Sequence, residues 1–322
     1  MKIFVTGGAG YIGSICVEEL LNAQYEVAVF DNLSEGHRAA LDSRAEFVEG
    51  DLEDRTLLDQ TLRRVRPEAV MHFAGSALVP ESMTNPTKYF RNNVSNGINL
   101  LEACVAADVR KIVFSSTCAI FGVPEQIPIT EDASKNPMNP YGESKLMFEK
   151  VLHWYHKQHG LDYVCLRYFN ASGATGEFGE HHRNETHLIP NVLKVALGQR
   201  SHVEMFGSDY PTPDGTCIRD YIHIVDLASA HILAVQFAGS DVFNLGSGDG
   251  YSVKQVIETA RKVTGHKIPV VEKPRRPGDP PKLVGDSTKI RKKLNWKPRF
   301  DSLEAIIASA WQWHRQHPRG YE

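Results

Sequence analysis

The chain has 322 residues, of which 42% are hydrophobic and 23% are charged, and its formal net charge is -3. It is long enough for a large core or for two domains that share a cleft. The weak negative charge gives no reason to expect nucleic acid or an anionic membrane as a partner. No apolar run approaches the roughly 18 residues that span a bilayer, and no signal peptide is evident before the first glycines.

The cysteines are scattered along the chain without paired spacing. We expect free, mostly buried thiols and a reducing, cytoplasmic location. The five residues are Cys16, Cys104, Cys118, Cys165 and Cys217.

A glycine-rich turn, TGGAGYIG, follows an apolar run at residues 2–5. The run is β-branched and aromatic enough for a buried strand, and the glycines fall where this strand gives way to a helix. Gly7 permits a turn that a side chain would obstruct, Gly10 lets the backbone approach a pyrophosphate, and Gly13 lets the helix pack closely on the sheet. The helix amino terminus then offers unpaired N–H groups to phosphate. The turn therefore predicts a dinucleotide site.

Asp31 follows the second predicted strand, at residues 26–30, where an acid can bind the adenosine ribose. A carboxylate hydrogen-bonds a free 2'-hydroxyl and repels a 2'-phosphate, so the sequence favours NAD over NADP. The nearest basic residue is Arg38, which we expect on the surface.

The first half of the chain alternates strands and helices, as a doubly wound (Rossmann) α/β fold with a parallel sheet requires. Asp51 and the turn at residues 73–75 would lie at the carboxyl ends of strands, where ligands bind, although Asp51 fits a helix cap equally well. We expect an NAD-binding domain over residues 1–171 and a smaller α/β substrate lobe over residues 172–322, with a segment of about 216–246 returning in part to the first domain. The predicted strands are residues 2–5, 26–30, 45–48, 69–73, 111–115, 163–168, 203–206, 242–245 and 269–271. The predicted helices are residues 13–23, 57–65, 86–107, 138–159, 187–197, 226–237, 253–264, 288–294 and 303–316.

Tyr141 and Lys145 carry the predicted chemistry, in the run NPYGESK. Four residues apart on a helix, their side chains lie on one face. A neighbouring ammonium and a cationic nicotinamide both favour the phenolate, which makes the tyrosine a usable general base. A random pair at this spacing is usually just an exposed pair on a helix. The dinucleotide turn upstream and the hydroxyl of Thr117 at a predicted strand end favour a catalytic role instead.

The motifs together resemble the extended short-chain dehydrogenases, and among them the UDP-galactose (UDP-glucose) 4-epimerase family. The resemblance covers nearly the whole chain, through TGGAGYIG, HFAGSALVPES, NNVSNG, SSTCAIFG, NPYGESK, RYFNASGA, CIRDYIHIVDLA and NLGSG. It implies that Tyr141 is the catalytic base, that Lys145 is its partner and that Thr117 hydrogen-bonds the sugar 4-hydroxyl.

The resemblance also implies two sets of binding residues. The implied cofactor contacts are Gly7, Gly10, Tyr11, Ile12, Gly13, Asp31, Asn32, Asp51, Leu52, Phe73, Ala74, Gly75, Asn92 or Asn93, Ser115 and Tyr168. The implied nucleotide-sugar contacts, besides Thr117 and Tyr141, are Asn170, His187, Leu188, Phe206, Arg219, Arg276, Asp279 and Leu283.

The chemistry of the implied nucleotide-sugar pocket is consistent with a UDP-sugar. Guanidinium groups at Arg219 and Arg276 suit diphosphate oxygens, although a lone arginine is more often a surface ion-pair former. Asp279 can hold ribose hydroxyls, and Phe206 can pack beside the base. The histidine-rich tract at residues 181–187 resembles a metal-binding segment, but epimerisation through NAD needs no metal, and we expect a substrate-contacting loop without one.

The implied reaction is an internal redox cycle. The tyrosine removes the 4-hydroxyl proton while the C4 hydride passes to a tightly bound NAD. The resulting 4-keto sugar then rotates in the pocket and takes the hydride back on its other face. UDP-glucose and UDP-galactose are the expected pair. In the family a residue matching Leu283 limits the pocket, and its intermediate size implies some tolerance for UDP-GlcNAc and UDP-GalNAc. The resemblance also implies a homodimer through helices near residues 86–107 and 139–159.

Two alternatives remain open. A nucleotide-sugar 4,6-dehydratase shares the fold and the Tyr-Lys pair, but would carry acidic residues after Thr117, where this chain has Cys118 and Ala119. A non-catalytic NAD-sensing protein would use only the dinucleotide site, and the intact catalytic residues argue against it.

Overall fold

A computed structural model describes residues 1–276 and 279–322. The strands are β1 (Lys2–Thr6), β2 (Glu26–Asp31), β3 (Glu46–Glu49), β4 (Ala69–His72), β5 (Lys111–Thr117), β6 (Asp162–Tyr168), β7 (Asn170–Ser172), β8 (Val203–Phe206), β9 (Ile218–Arg219), β10 (Tyr221–His223), β11 (Asp241–Leu245), β12 (Tyr251–Ser252), β13 (Val270–Lys273) and β14 (Lys282–Leu283). The helices are α1 (Tyr11–Asn22), α2 (Arg55–Val65), α3 (Val79–Thr84), α4 (Pro86–Phe90), α5 (Asn96–Ala106), α6 (Pro140–His159), α7 (Leu188–Ala196), α8 (Ile224–Gln236), α9 (Val253–Thr264), α10 (Thr288–Leu294) and α11 (Leu303–Gln316).

A seven-stranded sheet in the order β11-β6-β5-β4-β1-β2-β3 forms the centre of the fold. All six strand pairs are parallel, which confirms the predicted doubly wound α/β fold. The strand order reverses between β1 and β4, so a crevice opens beyond the carboxyl ends of these two strands. Ligands of such sheets bind in this crevice.

The strands read as continuous apolar runs because both faces of the sheet are covered. On one face, Ile3 and Val5 pack with residues of α1 and α8. On the other face, Phe4 packs with Leu58 of α2 and Phe148 of α6. Alternate residues of one strand therefore anchor opposite helical layers and hold the carboxyl ends of the strands in register.

The second lobe contains α7, α9 and α11 around their own apolar cluster, with the small sheets β12-β9-β14 and β13-β8. The chain does not stay in this lobe. Strand β11 pairs with β6 in the main sheet, and α8 packs in the same apolar cluster as α1. The chain thus returns to the main sheet after residue 171, within the expected segment of about 216–246. The division into two domains at residue 171 stays a prediction.

The structure contains elements that were not predicted, among them the short strands β7, β9, β10, β12 and β14. The single helix expected at residues 86–107 is α4 and α5 joined by a π-helical turn at Arg91–Ser95, and α3 was not predicted. The predictions for the thiols are confirmed, since all five cysteines are free and four of them are buried. Among the described residues, no helix is both long and apolar enough to cross a membrane.

Candidate active site

The glycine-rich turn forms a cradle at the carboxyl end of β1. Gly7 has φ +74°, and a Cβ there would lie 2.4 Å from the backbone nitrogen of Ala74. A Cβ at Gly13 would lie 2.1 Å from the Gly7 carbonyl oxygen, whereas one at Gly10 would meet only that oxygen, at 3.4 Å. The surroundings of Gly10 are therefore open. Gly10 caps α1 without a side-chain hydrogen bond, so the helix terminus can donate to an anion, and the turn fits a dinucleotide pyrophosphate.

Asp31 lies buried at the end of β2, beside this turn. Its carboxylate accepts the backbone N–H of Ala9 at 2.9 Å and that of Leu33 at 2.8 Å. Burial raises the pKa of the Asp31 carboxyl, and these two hydrogen bonds oppose the shift. Each oxygen keeps a lone pair that can accept a ribose hydroxyl.

Asn32 and Asp51 meet at the ends of neighbouring strands, where the Asn32 amide donates to the Asp51 carboxylate at 2.6 Å. The helix-cap interpretation of Asp51 is wrong, because Asp54 caps α2 by accepting the N–H of Leu57. The adjacent Leu52 is buried in the core, so its side chain can line the cofactor site at this edge of the sheet.

The turn after β4 joins the glycine cradle to the catalytic helix. The backbone N–H groups of Phe73 and Ala74 both donate to the Thr6 carbonyl at the end of β1. A Cβ at Gly75 would lie 3.1 Å from Asn93 Oδ1 and 3.5 Å from Lys145 Nζ. The turn at residues 73–75, an implied cofactor contact, therefore lies beside the catalytic lysine.

Asn93 fixes this turn from the π-helical segment. Its buried amide oxygen accepts the N–H of Ser76 at 2.8 Å, and its amide nitrogen donates to the Ser76 carbonyl and to Ser144 Oγ, each at 3.0 Å. Asn92 donates to Ser76 Oγ at 3.0 Å. The side chain of Asn93 thus positions the turn against α6, a role that sequence reasoning missed.

Tyr141, Lys145 and Thr117 come together at the carboxyl end of β5. Thr117 ends this strand, and Tyr141 lies in the first turn of α6, after Asn139, which caps the helix by accepting the Gly142 N–H at 2.8 Å. Lys145 is buried, and its Nζ donates to the Ser115 carbonyl at 3.0 Å and lies 6.0 Å from the centre of the Tyr141 ring. The predicted constellation of base, cation and hydroxyl is therefore assembled by the fold.

Burial sets the protonation of this group. It raises the pKa of Tyr141 to about 12, an effect that a hydrogen bond with Thr117 opposes, and it lowers the pKa of Lys145 to about 8. The phenol is thus neutral near pH 7 unless a further positive charge is added close to it. A cationic ring in the adjacent crevice would supply that charge.

Four further implied cofactor contacts lie along the same edge. The Ser115 hydroxyl hydrogen-bonds the Tyr168 hydroxyl across β5 and β6. Tyr11, the first residue of α1, donates from its hydroxyl to the Gly173 carbonyl at 2.7 Å, and Ile12 packs on the core. Tyr11 therefore connects the glycine cradle to the first residues after β7.

The implied nucleotide-sugar residues gather in the second lobe. Arg219 forms an ion pair with Asp279, and the Arg276 guanidinium lies 4.0 Å from the centre of the Phe206 ring. Leu283 pairs in register with Arg219. Sequence reasoning gave Arg219 and Asp279 separate ligands and missed that they bind each other.

Leu283 and Asn170 connect this lobe to the catalytic strand. Leu283 packs against an apolar cluster that contains Phe169 and Cys118, next to Thr117. The Asn170 amide donates to the Asp220 carbonyl at 2.9 Å. The pocket wall is thus continuous with the end of β5.

His187 precedes α7, and Leu188 packs on the core of the second lobe. The Nδ1 of His187 lies 2.8 Å from Glu185 Oε1 and 3.3 Å from Glu180 Oε1. Burial acts to lower the pKa of His187, but the two carboxylates outweigh it and raise the pKa to about 9. One ring nitrogen is therefore engaged by acids, and only Nε2 is left for a substrate.

Residues 3–246 match the NAD dependent epimerase/dehydratase family, and the chain belongs to this family. NAD is accordingly its cofactor, as the glycine-rich turn and Asp31 predicted.

Individual relatives narrow the class further. A UDP-glucose 4-epimerase of Lactobacillus helveticus is 51% identical over 100% of this chain and 99% of its own length. The crystal structure of the UDP-glucose 4-epimerase of Bifidobacterium longum in complex with NAD+ and UDP is 38% identical, with a TM-score of 0.95 over 99% of this chain and 100% of that one. The UDP-Glc/GlcNAc 4-epimerase of Campylobacter jejuni is 42% identical, with a TM-score of 0.86 over 98% and 99% of the two chains.

Proposed function

We propose that this protein is an NAD-dependent 4-epimerase that interconverts UDP-glucose and UDP-galactose through a transient 4-keto sugar. The observation that carries the proposal is the placement of Tyr141, Lys145 and Thr117 beside the glycine cradle, with Arg219 and Arg276 in the second lobe. This arrangement joins a proton acceptor, a dinucleotide site and a site for a nucleoside diphosphate.

Bound NAD supplies the acceptor, and later the donor, for the hydrogen at C4 of the sugar. The residues that would hold it are the three glycines of the turn and Asp31, with Lys145 beside the reacting end. Tyr141 takes the proton from the 4-hydroxyl oxygen and returns it to that oxygen after the ketone has turned. Thr117 orients the oxygen by a hydrogen bond, and the ammonium of Lys145 stabilises the phenolate.

The second lobe holds the part of the substrate that does not react. Arg219 and Arg276 supply positive charge for the diphosphate, and Asp279, beside Arg219, supplies an acceptor for the ribose hydroxyls. Binding at the nucleotide leaves the sugar free to rotate about its link to the diphosphate. Inversion at C4 requires this freedom, because the hydrogen must return to the opposite face.

A dehydratase is disfavoured by the residue after Thr117. Elimination needs a group that protonates a leaving hydroxyl, and burial raises the pKa of the Cys118 thiol to about 12. Such a thiol is a poor acid at neutral pH.

The substrate range follows from the size of Leu283. We infer that UDP-glucose and UDP-galactose are the main pair, with lower turnover of UDP-GlcNAc and UDP-GalNAc, as for the Campylobacter jejuni relative that is named for both kinds of sugar. The test compares kcat/KM for the two pairs in the wild-type protein and in Leu283→Tyr. The larger residue should abolish N-acetyl turnover and spare the other pair, and dominant N-acetyl turnover in the wild type would reverse the ranking.

Turnover without added NAD tests the proposed function itself. The purified protein should convert UDP-galactose to UDP-glucose with no cofactor in the buffer, because each cycle regenerates NAD in the site. A protein that carries NAD yet converts neither sugar would contradict the proposal and favour an NAD sensor.

We also propose a homodimer that buries the outer face of α6. Met147 and Trp154 lie two turns apart on this helix, and Trp154 is 58% exposed. Light scattering should give the mass of two chains, and Trp154→Glu should shift it to one.

A further inference from the structure

Four side chains of the segment before α7 point at one another: Glu180, His182, Glu185 and His187. One ligand atom from each lies within 4.8 Å of all the others. This His/Glu cluster lies outside the proton-transfer group formed by Tyr141, Lys145 and Thr117, and of its four residues only His187 is an implied substrate contact.

The spacing within the His/Glu cluster matches a tetrahedral metal ion. His187 Nδ1 lies 2.8 Å from Glu185 Oε1 and 3.3 Å from Glu180 Oε1, and His182 Nε2 lies 3.2 Å from the same Glu180 oxygen. With zinc bonds of about 2.0–2.1 Å, neighbouring ligand atoms of a tetrahedron are about 3.3 Å apart. All four ligand atoms lie within 4.8 Å of one another, so binding an ion would draw the side chains closer together.

Burial of the acids favours a cation beside them. The side chains of Glu180 and Glu185 are only 5% and 2% exposed. Among the described residues, Glu185 Oε2 has no hydrogen-bond partner although it is buried. A buried carboxylate oxygen without a partner is costly, and a metal ion would remove that cost.

The rings of His182 and His187 lie side by side, with centroids 4.7 Å apart, and each offers a nitrogen to the Glu180 carboxylate. A single divalent ion between them would balance the charge of both buried acids.

We propose that the His/Glu cluster binds one divalent transition-metal ion, with zinc preferred by its set of two imidazoles and two carboxylates. All four ligands come from the protein, which is typical of a structural rather than a catalytic site. The sequence-based expectation of no metal rested on the redox chemistry alone, and a structural ion leaves that chemistry unchanged.

The position of the site suggests what the ion holds together. The His182 ring meets the Tyr11 ring edge to face, with centroids 6.1 Å apart, and Tyr11 begins α1 next to the glycine cradle. The ion would fix residues 180–187 against the dinucleotide turn, and it would leave His187 only Nε2 with which to contact a substrate.

Zinc content and affinity test the proposal. The full-length protein, purified without chelator, should carry one zinc per chain by mass spectrometry of the metal. After chelator treatment it should rebind zinc in competition with a chromophoric chelator, and its melting temperature should rise on rebinding. His182→Gln and Glu185→Gln should each lower the zinc affinity by at least about 10–100-fold and remove the rise in melting temperature.

His266→Gln is the matched control, because it changes an exposed histidine in another part of the second lobe. Since His182 is 32% exposed, its replacement should leave the fold intact, which the melting temperature of the zinc-free variant checks. The proposal fails if the wild type neither retains nor rebinds one zinc per chain. It also fails if both cluster variants bind zinc as tightly as His266→Gln, because the metal would then be held elsewhere.

Discussion

Tyr141→Phe removes one oxygen from the active site and should nearly abolish epimerisation. Burial raises the pKa of this phenol to about 12, so only about one molecule in ten thousand would be ionised at pH 8 without added positive charge. The positive charges of Lys145 and of the nicotinamide would favour loss of the phenol proton. Loss of a positioned general base costs about 10²–10⁴-fold in kcat, which is about 3–5 kcal/mol of barrier.

The assay follows formation of UDP-glucose from UDP-galactose and measures bound NAD in the same sample. The variant should keep its NAD and change KM far less than kcat, because phenylalanine preserves the shape of the residue. Tyr163→Phe is the control, since that phenol lies near the amino end of β6, at the opposite edge of the sheet. A Tyr141→Phe protein with kcat within about tenfold of the wild type would refute the assignment of the base.

Four further changes test the cradle and the core. Gly13→Ala should destabilise the protein and lose NAD because its Cβ meets a carbonyl oxygen at 2.1 Å, whereas Gly10→Ala, with 3.4 Å of clearance, should stay folded but lose NAD. Glu149→Gln should cost about 3–5 kcal/mol in denaturant unfolding, because it leaves the buried Arg167 guanidinium, at 2.7 Å, without its carboxylate. His231→Gln should make stability less dependent on pH between pH 6.5 and 4. Burial lowers the pKa of His231 in the folded state to about 4, so in this range the unfolded state binds a proton that the folded state does not. The free energy of unfolding of the wild type therefore falls by about 1.4 kcal/mol for each unit that the pH drops, and the variant should lose this dependence.

Each of these changes has a control on the surface of the same chain. A Cβ at Gly176 meets no atom of the described residues within 4 Å, so Gly176→Ala should keep both fold and NAD. Glu304 pairs with Lys262 in solvent, and Glu304→Gln should cost at most about 1 kcal/mol. His266→Gln changes an exposed histidine and is the control for His231→Gln. Equal NAD loss in the Gly10 and Gly176 variants, equal destabilisation by the two glutamate changes, or parallel pH curves for the two histidine changes would each contradict the corresponding argument.

The main sheet could be predicted from the sequence because most of its strands, such as β1, β2, β4 and β5, are runs of residues buried on both faces. The short strands β7, β9, β10, β12 and β14 could not. They have two or three residues each, too few for a periodicity, and they form only where distant segments pair. The turn at Arg91–Ser95 was missed for a related reason, since the side chains that hold it lie on other elements.

The parts of the site with local spacing were likewise predictable. The glycines of the turn and the pair Tyr141 and Lys145 each lie within a few residues of one another, so the pattern itself carries the geometry. Asn93 reaches Ser76 and Ser144, which are 17 and 51 residues away, and no local pattern records such contacts. The ion pair of Arg219 with Asp279, 60 residues apart, was missed in the same way.

The return of the chain to the sheet as β11 means that the redox half of this molecule is not a separable part. A fragment that ended at residue 171 would lack β11, leaving the edge of β6 open, and would lack α8, leaving part of α1 bare. Open apolar edges pair with other chains, so such a fragment should aggregate rather than fold. The chain that forms the substrate lobe therefore leaves the cofactor domain before that domain is complete and later returns to complete it. Recombination could exchange either domain only by carrying segments of both.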